Sequence, residues 1–254
     1  FIQKNELLFD DFKNINSQLD SKLNKYKMGE VELDVKEISQ FYNLLTDVSS
    51  KLEKISFYEK EFKKELPKLK SGRYNATGLI DIWLANNELI KNSMKFIDIE
   101  VCYDKSLTLL NTARNILNIK SIITNNENII SCFLGIEKEL ESEFKECSTL
   151  SHSEEMLLKL SNILDETERN KKLEQRFNEY SSLATDTDKL KIENLFEETY
   201  NKISSDQLNI YNLKLDQLIS SIPIKQKNKR ILNTKIAIGI LLFVIFATLM
   251  TVYI

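Results

Sequence analysis

The sequence predicts an all-α protein, an elongated bundle of about six long helices followed by a C-terminal transmembrane helix. Three observations support this class. Five glycines and two prolines in 254 residues leave long stretches without helix breakers, and 29% of the residues are charged, a composition typical of long helices. No stretch alternates apolar and polar residues between turn signals, as a half-buried strand would. The last nineteen residues are uncharged and predominantly apolar.

Apolar residues recur at spacings of three and four along the chain, which is the pattern of one helix face. The first stripe predicts a helix over residues 3–27 that ends at Gly29. The second has the rhythm of a heptad seam and predicts a helix over residues 31–65. Pro67 and Gly72 are expected to break the pattern, and a third helix of some forty residues follows the second break. The seam consists of Ile38, Phe41, Leu45, Val48, Leu52 and Ile55.

Capping boxes predict where the fourth and fifth helices begin. The sequences from Thr124 to Glu127 and from Ser151 to Glu154 each place a hydroxyl three residues before a glutamate, so that each side chain accepts the other residue's free backbone N–H. A sixth helix is predicted over residues 187–222 and ends at Pro223. Helices of about 35 to 40 residues are roughly 50 to 60 Å long. Two stacked four-helix bundles that share the long helices would bury every stripe.

The chain divides into a helical bundle over residues 1–224, a basic juxtamembrane segment over 225–235 and a transmembrane helix over 236–254. At about 1.5 Å of rise per residue, the last segment spans roughly 28 Å, which is close to the hydrocarbon thickness of a bilayer. The juxtamembrane segment carries no acidic residue, and we expect its five basic residues to lie at the membrane surface and to contact anionic headgroups. These are Lys225, Lys227, Lys229, Arg230 and Lys235.

Composition and motifs favour a protein that is not an enzyme. The net charge is −3 and basic residues alternate with acidic ones, so no nucleic-acid partner is expected. His152 is the only histidine, and no phosphate-binding loop or nucleophile elbow is present, so neither a catalytic site nor a cofactor is predicted. The three cysteines match neither a disulfide framework nor a zinc pattern, so no metal is expected; they are Cys102, Cys132 and Cys147.

Three residues are candidates for binding a small ligand. Arg73 and Tyr74 lie in a turn-rich stretch at one end of the bundle, where they could hold an anionic group. Trp83 follows on an apolar helix and could line a cavity between helices. Each has a structural alternative, since a tryptophan on an apolar helix face commonly packs in the core and a single loop arginine is commonly solvated.

The layout resembles the double all-helical and helical bimodular sensory domains of bacterial membrane receptors. The residues that carry the likeness are Phe1-Ile2, Leu19-Asp20, Leu23, Lys25, Lys27, Gly29, Asp34 and Asn228-Lys229-Arg230-Ile231-Leu232. The resemblance implies two stacked helical bundles between two transmembrane helices, on the extracytoplasmic side of the membrane. It further implies that a ligand bound between helices shifts the last helix by an ångström or two, and so passes a signal through residues 236–254.

The alternative is a cytosol-facing, tail-anchored helical protein that acts as a membrane tether or fusion-related adaptor. The basic residues before the apolar segment favour it, because positive charge flanks the cytosolic end of membrane helices. Its partners would be proteins, or a second copy of the chain, that contact the helical seams. A SNARE-like version would need regular heptads leading to the membrane, and Pro223 interrupts them. Both hypotheses include membrane lipid as a partner.

Overall fold

The structure is a computed structural model that describes the backbone of residues 6–28 and 35–252, and the side chains of residues 7–25, 27–28 and 35–242. The predicted helix end at Gly29 lies outside the described residues. So do Phe1, Ile2 and Asp34, three of the residues that carry the resemblance to sensory domains.

The described part of the chain is predominantly helical and contains no strand, which confirms the all-α prediction. A short 3₁₀ helix at Phe96–Asp98 precedes α5. The α-helices are α1 (Glu6–Asp10), α2 (Lys13–Lys27), α3 (Val35–Lys70), α4 (Thr77–Ser93), α5 (Ile99–Asn125), α6 (Glu127–Ile130), α7 (Leu134–Glu146), α8 (Leu150–Tyr180), α9 (Asp186–Lys202) and α10 (Ser205–Val252).

The helices form two compact units. The first unit consists of the described residues up to Asn126 together with Leu140–Leu160. The second consists of Glu127–Glu139 and the described residues from Ser161 onward. Helices α7 and α8 therefore each contribute one part to the first unit and another part to the second.

The core of the first unit is built around the predicted seam of α3. Leu45, Val48, Leu52 and Ile55 are buried, as the heptad pattern predicts, whereas Ile38 at the start of the seam is 47% exposed. Helices α1, α2, α4 and α5, with residues of the short connections next to them, cover the seam with apolar side chains. These are Phe9, Phe12, Ile15, Leu19, Ile90, Met94, Ile99 and Cys102.

The core of the second unit joins α8, α9 and α10 through Leu173, Phe177, Ile192, Phe196, Leu215, Ile219 and Ile222. The same unit contains three polar residues that bond to one another and that we call the asparagine layer: Glu166, Asn170 and Asn212. The Asn170 amide donates to Asn212 Oδ1 at 2.7 Å. The Asn212 amide donates to the Glu166 carbonyl and carboxylate at 2.8 and 2.9 Å.

The predicted break at Pro67 is wrong, because α3 continues through this proline to Lys70. Proline has no backbone N–H, so α3 continues through Pro67 without the hydrogen bond that would run to the Lys63 carbonyl one turn earlier. The ammonium of Lys120 on α5 donates to the Lys68 carbonyl at 2.6 Å and also to the Ser71 carbonyl, which satisfies acceptors at the end of α3. Gly72, with φ of 71°, then turns the chain.

The predicted forty-residue third helix is also wrong, because the chain leaves helical geometry between α4 and α5. Met94 is extended, with φ −59° and ψ 133°, and its side chain is fully buried. Next to it, the Lys95 N–H donates to the Asp98 carboxylate at 3.1 Å and so caps the 3₁₀ helix. The apolar stripe continues across this break, so its spacing gave no sign of it.

Neither predicted capping box forms. Thr124 is still inside α5, where its hydroxyl donates to the Lys120 carbonyl. Helix α8 begins two residues earlier than expected from the second box, and the hydroxyl of Thr149 accepts the His152 N–H at 3.2 Å. The hydroxyl of Ser151 instead donates to a carboxylate one turn further along the helix.

The predicted sixth helix is two helices, because the chain breaks at Ile203 and Ser204 and α10 starts at Ser205. The Glu139 carboxylate of α7 accepts both the N–H and the hydroxyl of Ser205 at 2.8 Å, so α10 is capped by a residue distant in sequence. Helix α10 does not end at Pro223, since its backbone runs on to Val252.

Among the described residues, no helix is both long and apolar enough to cross a membrane. The predicted transmembrane segment begins at Ile236 and extends to Ile254, and its side chains beyond Leu242 lie outside the described part of the chain.

Candidate functional site

The predicted ligand residues Arg73 and Tyr74 both contact α7. The Arg73 guanidinium pairs with the Glu141 carboxylate, with Nε 2.7 Å from Oε1. The Tyr74 ring packs against the Phe144 ring, with their centroids 5.2 Å apart. The two residues thus hold the turn after α3 against α7, and an anionic ligand at Arg73 would compete with a carboxylate already in place.

The third predicted residue, Trp83, packs on α3 instead. Its ring stacks on Phe62 with 4.7 Å between centroids and 4° between planes, and Trp83 is 6% exposed. A cavity beside it has a volume of about 10 Å³, which is about the space for one water molecule. An organic ligand would therefore need these helices to separate. Trp83 therefore packs against α3, whereas Arg73 and Tyr74 contact α7.

Charged and phenolic groups form the polar wall of this small cavity. Burial raises the pKa of Glu59, but hydrogen bonds from Lys63 and Lys91 outweigh that effect and hold it below its usual value. The hydroxyl of Tyr58 donates to Tyr103 at 3.3 Å, and this hydrogen bond, together with burial, raises the pKa of Tyr58 to about 12. These groups satisfy one another, as expected of a packed core.

A much larger cleft, of about 460 Å³, lies between α8 and α9 in the second unit. We call it the acidic cleft. Three carboxylates, three aromatic rings and two amides line it. They are Glu174, Phe177, Asn178, Glu193, Phe196, Glu197, Tyr200 and Asn201. Ligand sites in proteins commonly have volumes of about 300 to 1,000 Å³.

The cleft follows from helical spacing on α8 and α9. Residues three and four apart lie on the same helix face, so Glu193, Phe196, Glu197 and Tyr200 all point to one side of α9. The Tyr200 hydroxyl donates to Glu174 Oε2 at 2.8 Å, and this hydrogen bond links α9 to α8 across the cleft. Burial raises the pKa of Tyr200, and the hydrogen bond to this carboxylate raises it further.

The acidic cleft was not predicted from the sequence. The alternation of glutamates and aromatic residues at three- and four-residue spacing on α9 was the available signal. Any amphipathic helix shows a similar alternation.

The predicted membrane-surface residues differ in their surroundings. Lys225 pairs with Asp188, with Nζ 2.7 Å from Oδ1, and this hydrogen bond is the main reason why the pKa of Asp188 is lowered. The remaining four are exposed, and two of them line a shallow groove of about 170 Å³ beside Leu183 and Pro223. Lys227 and Arg230 line this groove, and Lys229 and Lys235 are the other two exposed residues.

Within the described part of the chain, no group of three or more histidine, cysteine, aspartate or glutamate residues is placed to hold a metal ion. Comparison with protein-family models, with curated proteins and with solved structures finds no match to this chain.

Proposed function

We propose that this chain is a non-enzymatic sensory module that is anchored in a membrane by the C-terminal part of α10. In this proposal a ligand binds to the second helical unit, and the resulting shift of α10 carries the signal into the membrane. The body of the protein lies outside the cytoplasm. An output domain would receive the signal on the other side.

The observation that carries this proposal is the continuity of α10. Its first half belongs to the core of the second unit, where Leu208, Leu215, Ile219 and Ile222 are buried. From Lys227 to Leu242, the last described side chain, every residue is exposed. Large apolar side chains are among them: Ile231, Leu232, Ile236, Ile238, Ile240, Leu241 and Leu242. A long unpacked apolar surface of this kind is typical of a segment that another apolar phase covers.

The same helix could couple ligand binding to the membrane. Phe177 and Phe196 line the acidic cleft and belong to the core that contains Leu215 and Ile219 of α10. A ligand that draws α8 and α9 together would repack these rings against α10. Packed helices respond to such changes with discrete shifts of an ångström or two.

The distances along α10 refine the proposed membrane contacts. Arg230 lies six residues before Ile236, or about 9 Å along the axis, whereas Lys225 lies about 16 Å away and is already paired. The Debye length is about 8 Å at physiological ionic strength. The attraction to headgroups therefore weakens from Lys235 through Arg230 and Lys229 to Lys227, and Lys225 contributes least.

A second candidate function, a cytosol-facing membrane tether, is favoured by these same exposed basic residues. Positive charge at the membrane boundary is typical of the cytosolic side. In this case the apolar end of α10 is a tail anchor, and the helical body would bind protein partners or a second copy of the chain.

A labelling experiment distinguishes the two. Cys132 is exposed, whereas Cys102 and Cys147 are buried, so a membrane-impermeant maleimide added to intact cells reports on Cys132 alone. Cys132→Ser is the control for background, and detergent-opened cells show that the thiol is reachable. Labelling in intact cells supports the sensor. Labelling only after opening overturns it and supports the tether, and a chain that stays soluble when membranes are pelleted contradicts both.

A further inference from the structure

The proposed function leaves open which ligand the second unit binds, and the acidic cleft limits the choice. Its negative charge comes from both helices: Glu193 and Glu197 stand one turn apart on α9, and Glu174 stands on α8. No lysine or arginine lines the cleft. Neither carboxylate of α9 forms an ion pair with any described residue, so the cleft presents charges that nothing in this part of the chain neutralises.

The floor of the cleft is apolar and is fixed by the protein core. Phe177 and Phe196 are each 7% exposed, so their rings are held by the core and only their edges or parts of their faces reach the cleft. Tyr200 packs between Phe133 and Phe196, with ring centroids 5.2 and 6.1 Å away. Aliphatic groups pack well on such a floor, and cations are attracted to aromatic faces.

The hydroxyl of Tyr200 also fixes the position of one carboxylate of the cleft, that of Glu174. Because it donates to Glu174 Oε2, the carboxylate is held over the floor while its other oxygen stays available. The amides of Asn178 and Asn201 add hydrogen-bonding groups at the wall. A ligand that satisfies this lining carries several positive donors, spaced by about one helical turn, on an apolar stem.

We propose that the acidic cleft binds a small organic polycation with two or more amino groups separated by a short aliphatic chain, the chemistry of a polyamine. The carboxylates of α9 and α8 pair with the amino groups, and the methylene chain lies on the aromatic floor. For its biological role the inference rests on the proposed sensory function, since the polycation would be the ligand that the sensor detects.

Isothermal titration of the full chain in a neutral detergent tests this assignment, with spermidine as the probe. The variant Glu193→Gln/Glu197→Gln removes two cleft charges. The control variant Glu179→Gln/Glu198→Gln removes two charges from the same helices outside the cleft lining. The cleft variant loses two solvent-exposed ion pairs with the ligand, so we expect it to bind spermidine about tenfold more weakly. The control variant should bind spermidine like the wild type. Tyr200→Phe should also weaken it, because Glu174 loses its hydrogen bond.

The assignment is overturned by no spermidine binding, by equal weakening in the cleft and control variants, or by equally tight binding of Mg²⁺, which would indicate an unspecific acidic surface. Preferential binding of an oligolysine peptide would point to a protein partner instead and would also overturn it. Thermal unfolding of each variant shows whether it is folded. Loss of the ligand assignment leaves the topology result intact, because maleimide labelling of Cys132 does not depend on the cleft.

Discussion

The substitution Asn212→Asp is expected to destabilise the second unit strongly and in a pH-dependent way. Asn212 is fully buried, and its amide donates one hydrogen bond to a carbonyl and one to a carboxylate of Glu166. A carboxylate at this position cannot donate either bond. The loss is about 1 kcal/mol for the neutral bond and about 2 kcal/mol for the charged one. Repulsion between the two carboxylates adds to this total of about 3 kcal/mol.

Urea unfolding followed by circular dichroism measures this change at pH 7.5 and pH 4.5. Repulsion raises the pKa of the introduced carboxyl in the folded state above its unfolded value. The protonated form is therefore favoured by folding, so the destabilisation is largest above the raised pKa and shrinks as the pH falls through it. At pH 7.5 we expect a loss of at least about 3 kcal/mol, which corresponds to at least about 6 °C in melting temperature.

Asn194→Asp makes the same chemical change at an exposed position of α9 and serves as the matched control. It should change the free energy of unfolding by no more than about 0.5 kcal/mol. A loss below about 1 kcal/mol for Asn212→Asp at pH 7.5, or a loss that is the same at both pH values, would refute the reasoning. The asparagine layer would then be open to water.

Three further predictions concern other parts of the chain. Gly135→Ala should lower the free energy of unfolding by about 1 kcal/mol, because the added Cβ would overlap the backbone of Ile203. This overlap outweighs the gain in helix propensity. A variant that is more stable than the wild type in urea unfolding would contradict this. A thiol titration should detect one reactive cysteine, Cys132, in the folded protein and three after unfolding. The other two thiols are buried, and burial raises the pKa of each. Early reaction of a second thiol would show that a core opens. Lys225→Gln should lower the free energy of unfolding by less than about 1 kcal/mol at pH 7. The loss should vanish once the pH has fallen below the lowered pKa of Asp188, because the wild-type ion pair is then lost as well. Urea unfolding measures both values, and a loss that stays constant across this pH range would argue against the ion pair.

The candidate sites show which kinds of prediction depended on packing. Arg73 and Tyr74 were singled out as neighbours in a turn, and they do act at one place, but on residues of α7 some seventy positions away. The acidic cleft was not predicted, because Glu193 and Glu197 look the same in sequence whether the side of α9 that carries them faces open water or a second helix. Only the position of α8 beside α9 makes these residues the rim of a cleft.

By itself the sequence determined the helical class, the seam of α3 and the apolar character of the C-terminal segment. These properties depend on composition and on the spacing of residues within one helix, both of which are local. The tertiary structure decided where the helices end. Burial of Met94 accompanies one break, and Glu139 caps the start of α10 after another. A helix continues or stops according to the free energy of contacts with residues distant in sequence, and no local pattern contains that quantity.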